Sequence, residues 1–253
     1  MRHFFTLLRH EIRILLITPA TYIAAILFLG LMGWVFQDLL VAFVRTARDT
    51  APAVDFFRLF ILPVLFLSPL LTMHTIAEER RLGTLETLVT TPVTTPEIIL
   101  AKFFAAYLFY VVLWLSTLSF HWVLYRFADN PQVLDPGPLI GGYLFVSLSG
   151  LMFIAAGIFS SSLTRSQLVA GLLTFAISFG LTIGLRYLGD PALFEPEPDT
   201  LLATIVGHVQ IFQHAEDFVS GVLDTRAPVL YFSVAGILLF LSMLALDARS
   251  VRT

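Results

Sequence analysis

The sequence predicts an all-α integral membrane protein with six transmembrane helices, an N-terminal interfacial amphipathic helix and a cytoplasmic coupling helix. Two observations predict the class. Of the 253 residues, 57% are hydrophobic and only 13% charged, against roughly 45–50% and about 25% in an ordinary soluble domain. The mean hydropathy is +0.86. A soluble fold of this composition could not cover its surface with polar groups. Apolar runs also recur along the chain, each with the roughly 20 residues that a ~30 Å hydrocarbon core requires. The net charge of −3 does not suggest nucleic acid as a partner. With no cysteine, disulfides, thiolate metal sites and cysteine nucleophiles are excluded.

Residues 1–17 open the chain as an amphipathic helix. Phe4, Phe5, Leu8, Ile12, Leu15 and Leu16 share one face, and Arg2, Thr6, Arg9, His10 and Arg13 share the other. A basic helix of this kind lies in the membrane interface with its apolar side down. A cleaved signal peptide is the alternative, but the following run is too long for an h-region. Thr18-Pro19 breaks the chain before the first span, 20–43. The second span is 56–77, with Pro63 and Pro69 inside it. The remaining spans are 98–125, 139–163, 167–187 and 228–246. The whole chain, 1–253, is expected to form a single transmembrane domain.

Charge gives the orientation. With both termini in the cytoplasm, nine Lys and Arg fall on the inner segments and six on the outer, and the acids leave the outer side strongly negative. This orientation predicts a multi-pass protein with both termini in the cytoplasm. The central parts of the spans hold no Asp, Glu or Lys, which argues against ion-coupled transport. The single lysine, Lys102, follows Ala101 and precedes Phe103, so no phosphate-binding loop exists. Nucleotide chemistry would have to reside on another chain. Gly-x-Ser-x-Gly and His-Glu-x-x-His are absent, and the histidines lack zinc spacing. No catalytic residue, cofactor or metal is therefore expected in this chain.

Gly180-x-x-x-Gly184 in the fifth span and Gly137-x-x-x-Gly141 before the fourth permit close backbone approach. They read as packing inside the bundle or as a dimer seam. The 189–227 loop, placed outside, interleaves Leu201, Leu202, Ile205, Val206, Val209, Phe212, Phe218 and Val222 with polar residues. That pattern suggests amphipathic helices resting on the bundle, the membrane or an extracytoplasmic partner.

The inner segment between spans 2 and 3 is the longest polar stretch on that side. Leu82, Leu85, Leu88 and Val89 fall on one face of a short helix, 83–91, that Pro92 ends. Thr95-Pro96-Glu97 opens the next helix with a cap, Pro at the first position and an acid near the dipole. Such a helix can transmit a push as a rigid body. An ordinary loop whose leucines rest on the membrane is the other reading.

The pattern Glu79-Arg80-Arg81-x-Gly83-Thr84-Leu85-Glu86-x-Leu88-x-x-x-Pro92-Val93-x-x-x-Glu97-Ile98-x-x-x-Lys102 resembles the loop between the second and third spans of type-2 ABC transporter permeases. The resemblance implies that Gly83 to Thr91 seats in a groove of a separate ABC-type ATPase dimer. It marks Glu79, Arg80, Arg81, Gly83, Thr84, Leu85, Glu86, Leu88 and Pro92 as the coupling residues. Ala101 stands where the family usually has glycine. Phe218 to Phe232 resembles the segment before the last span in gliding-motility permeases and in nitrous-oxide-reductase copper-maturation permeases. The resemblance thus implies a permease subunit that pairs with a second permease copy or a related permease in membrane lipid. A mechanotransmission or scaffold subunit that moves no substrate is the competing role.

Overall fold

A computed structural model describes residues 2–45, 52–84, 93–127, 136–188 and 210–250. Helices account for nearly all of these residues. They are α1 (Arg2–Ile17), α2 (Pro19–Arg45), α3 (Pro52–Arg58), α4 (Ile61–Thr72), α5 (Ala77–Leu82), α6 (Thr95–Ser116), α7 (Leu118–Phe127), α8 (Pro136–Leu163), α9 (Gln167–Phe179), α10 (Leu185–Leu188), α11 (Ile211–Val219) and α12 (Arg226–Ser250). A π-helical turn, Gly180–Gly184, joins α9 to α10. Among the described residues, six stretches are long and apolar enough to span a membrane: Pro19–Ala42, Ile61–Leu82, Thr95–Arg126, Pro136–Leu163, Gln167–Tyr187 and Arg226–Ala248.

The bundle is organised around α8, which packs against α3, α4, α5, α6, α9, α11 and α12. Its glycines explain why so many neighbours fit. A Cβ at Gly141 would run into the Phe218 carbonyl, at Gly142 into the Phe57 ring, at Gly150 into the Tyr110 ring and at Gly157 into the Thr72 side chain. The expected close approach at Gly141 is therefore present, and it seats α11. Gly180 and Gly184 behave differently. A Cβ at Gly180 would meet nothing within 4 Å, and one at Gly184 only the Phe179 carbonyl at 3.8 Å. Among the described residues no other helix packs against these two glycines, so the reading of them as packing inside the bundle finds no support there.

The second span is broken rather than continuous. Pro63 falls in the first turn of α4, where its missing N–H costs nothing, so only Pro69 lies in a helix interior. Four turn residues, 73–76, separate α4 from α5. The N–H groups of Ile76 and Ala77 both donate to Ser161 Oγ, at 3.1 and 3.0 Å. A hydroxyl of α8 thus satisfies the donors that the break exposes. The third span also breaks, at Thr117. Its Oγ1 donates to the Trp114 carbonyl at 2.6 Å and lies 2.8 Å from the Tyr143 hydroxyl. The cap of α6 is Thr94, one residue earlier than expected, so Pro96 stands at the second helical position. Glu97 accepts the Thr94 N–H at 3.2 Å, the reach-back half of a capping box.

Expectation and structure also differ at α1. Its apolar face does not all turn outward: Leu15 and Glu11 are buried because α1 packs along α6, with Phe4 edge-on to Phe104. Phe5, Leu16 and Ile17 remain exposed on the rest of the face.

At the opposite end, α11 lays Ile211, Ala215, Phe218 and Val219 against α3 and α8. For this part of the 189–227 segment the surface that the apolar stripe needs is the bundle itself. Val222, expected on the stripe, is exposed, because a Schellman turn at Gly221 (φ 83°) has ended the helix. Residues 201–209 lie outside the described residues. His214 Nδ1 sits 3.0 Å from the Tyr231 hydroxyl of α12. Burial holds the His214 imidazole below its usual range, against the opposing pull of Asp217 and Asp224.

Candidate functional site

Of the residues singled out between spans 2 and 3, the described ones, Glu79 to Thr84, fall at the end of the bundle where α1, α5 and α6 meet. The structure separates them into two groups. Glu79 and Arg80 turn inward. Arg80 Nη1 donates to the Ser162 carbonyl of α8, and Glu79 Oε1 receives the Lys102 ammonium at 2.6 Å. Glu78 to Arg81 lie within the helix α5, which continues the second span, with Glu79 and Arg80 directed inward and Glu78 and Arg81 toward solvent. Arg81, Leu82, Gly83 and Thr84 are exposed. The Arg81–Glu78 pair, at 3.7 Å with both side chains largely in solvent, contributes little.

Gly83 closes α5 in the left-handed conformation, φ 73°. A residue with a Cβ is strained there, so glycine at this point has a backbone reason. Thr84 Oγ1 donates back to the Glu79 carbonyl at 3.3 Å. The expected coupling helix, 83–91, begins at this glycine. Leu85, Glu86, Leu88 and Pro92 lie outside the described residues.

The centre of this end is Lys102, which sequence reasoning counted only as an inner cation. It is 1% exposed. Its ammonium bonds Glu11 Oε1 of α1 at 2.7 Å and Glu79 Oε1 of α5 at 2.6 Å. One side chain of α6 thus joins two helices that lie 91 and 23 residues away in sequence. A buried ammonium needs such partners, because removing it from water otherwise costs several kcal/mol. A cavity of about 590 Å³ lies beside the group, walled by Leu7, Glu11 and Leu15 on one side and by His74, Glu78 and Glu79 on the other. His74 turns both ring nitrogens into buried space with no hydrogen-bond partner. Ser161 and Ser162 were also missed as part of this end. The signal for Lys102 was its solitude: it is the single lysine of the chain, one turn into a span. Nothing in the sequence pairs it with Glu11.

Among the described residues no group of three or more His, Asp or Glu could hold a metal ion. This end gathers α1, α5, α6 and the central α8 beside the exposed residues Arg81 to Thr84.

Six apolar stretches, one of them the glycine-studded central helix α8, define a polytopic membrane protein. The family described as ABC-2 family transporter protein matches residues 35–246, and the chain belongs to that family. No curated protein matches the chain. The protein is a permease subunit of an ABC system, and membership implies an ABC ATPase partner and a dimeric arrangement.

Proposed function

We propose that ATP-driven closure of a separate ATPase dimer acts on residues 83–91 and rearranges this permease through α5. The carrying observation is the anchoring of α5. It leads into that segment through Gly83, and it is hydrogen-bonded to α8 through Ser161 and Ser162. A displacement of 83–91 would act on the central helix directly rather than dissipate in a loop. In this reading Arg81, Gly83, Thr84, Leu85, Glu86, Leu88 and Pro92 form the contact or its hinge, and Glu79 and Arg80 form its anchor. The α1–α5 end faces the cytoplasm, both termini lie there, and the single domain sits in the inner membrane of a prokaryote. The face at Gly180 and Gly184 supports a seam with a second permease copy or a related permease, since nothing among the described residues approaches Gly180. The gliding-motility and copper-maturation permeases are the subgroup that Phe218 to Phe232 favours.

One observation favours the second reading, transmission of force without a transported substrate. The helix α8 runs unbroken for 28 residues and contains both the α11 contact at Gly141 and the α5 contacts at Ser161 and Ser162. Such a strut would carry motion to an extracytoplasmic partner. Purification from source membranes in mild detergent tests the main reading. An ATP-hydrolysing subunit is expected to co-purify, and its absence under conditions that keep the permease dimeric would refute it.

A further inference from the structure

The α1 helix is held to α5 in an unusual way. Between them lies the cavity of about 590 Å³, with Leu7, Glu11 and Leu15 of α1 forming one wall and His74, Glu78 and Glu79 the other. Side-chain packing across an open space transmits little, because dispersion contacts vanish over a gap of an ångström or two. The connection that crosses the space is ionic: Glu11 Oε1 to Lys102 Nζ at 2.7 Å, and Lys102 Nζ to Glu79 Oε1 at 2.6 Å. Lys102 is 1% exposed, whereas the two carboxylates retain 11% and 24%. Water therefore does not screen the ammonium, and truncating it would leave two carboxylates facing each other unpaired.

From this geometry we infer that Lys102 is a positioning residue for energy coupling, making α1, α5 and the base of α6 move as one body when the ATPase acts. The inference rests on the reading that force enters through the segment after α5. It adds α1 to the moving part, although Glu11 lies outside the 35–246 stretch that matches the family. Buried charge pairs are weak devices for stability but good ones for fixing register between elements. Because the cavity lies between α1 and the α5 end, the ion pairs rather than side-chain packing hold these two elements in register. Because α1 also exposes Phe5, Leu16 and Ile17, its motion would be felt at the membrane surface.

The test uses the full permease–ATPase complex in lipid nanodiscs. Spin labels at exposed Arg13 of α1 and exposed Leu82 of α5 report whether the two helices move together. A second pair, Leu82 with exposed Leu244 of α12, reports motion against the rest of the bundle. In the wild type, adding ATP is expected to change the Leu82–Leu244 distance and leave Arg13–Leu82 unchanged. In Lys102→Met the Arg13–Leu82 distance becomes nucleotide-dependent, and permease-stimulated ATP hydrolysis falls at least 10-fold with the ATPase still bound. Lys102→Arg, which keeps a cation between Glu11 and Glu79, is expected to preserve both readouts. Glu11→Gln removes the charge of the α1 link alone, is expected to make the Arg13–Leu82 distance nucleotide-dependent, and decides the matter if the methionine variant does not fold. The inference is overturned if Arg13–Leu82 changes with nucleotide in the wild type. It is equally overturned if Lys102→Met, or a folded Glu11→Gln where the methionine variant does not fold, behaves as wild type. Failure of the wild type to retain an ATPase would instead overturn the coupling reading, and this inference with it.

Discussion

Gly157→Val is expected to lower the thermal midpoint of the detergent-solubilised protomer by roughly 2–12 °C, corresponding to about 1–3 kcal/mol of overpacking. The reason is local and severe. A Cβ at this position would overlap the Thr72 side chain, which is completely buried and whose Oγ1 is already committed to the Ser68 carbonyl at 2.7 Å. Thr72 ends α4 immediately before the break at 73–76, and its carbonyl also receives Thr75 Oγ1 at 2.8 Å. Pushing it aside would lift the α4–α5 junction from α8 and strain the Ser161 bonds to Ile76 and Ala77. A circular-dichroism melt measures the loss. Gly180→Ala is the control: nothing lies within 4 Å of its would-be Cβ, so the protomer midpoint is expected to stay within about 0.5 kcal/mol of wild type, the range of surface substitutions. Equal loss from both substitutions would mean that the glycines of α8 do not set the packing.

Leu85→Arg and Glu86→Lys are expected to weaken retention of the ATPase by about 30-fold, the cost of losing a contact worth ~2 kcal/mol at the centre of an interface. Membrane insertion and the protomer melt should not change, because the anchoring of α5 resides in Glu79, Arg80, Ser161 and Ser162 rather than in these two residues. Arg81→Glu should do much less. Its side chain is 59% exposed in a loose pair with Glu78, and rim charges contribute little affinity. Titrating the purified ATPase against each variant in nanodiscs measures the effect. Wild-type affinity in both substituted forms would place the contact elsewhere.

The helical class and the approximate positions of all six spans were legible because hydropathy over some 20 residues is a strong signal and a bilayer admits few alternatives. The breaks were less legible. Thr117 and the 73–76 turn depend on hydroxyls from a distant helix, Tyr143 and Ser161, and no local pattern announces such partners. Pro63 and Pro69 looked alike in sequence, yet only Pro69 is interior, because the start of α4 is fixed by tertiary packing of Phe60 and not by the proline. The glycine pairs show the same limit: spacing marked both Gly141 and Gly180, but only a neighbour decides which one is used. At the candidate site, Gly83 reads in sequence as the start of the 83–91 helix, and its left-handed closing of α5 was not legible, because the charged run before it does not read as a helix. The inward turn of Glu79 and its bond to Lys102 were not legible either, since a carboxylate in a charged run reads as solvated until a buried cation is placed beside it.

The most direct test of the central claim uses the absence of native cysteine. Thr84→Cys, at the exposed start of the 83–91 segment, is treated with a short thiol–amine cross-linker in membranes that contain the ATPase. The account predicts a permease–ATPase adduct whose yield changes between ATP and ADP, and none from Leu223→Cys, exposed at the far end beyond α11. An adduct from Leu223→Cys and none from Thr84→Cys would contradict it.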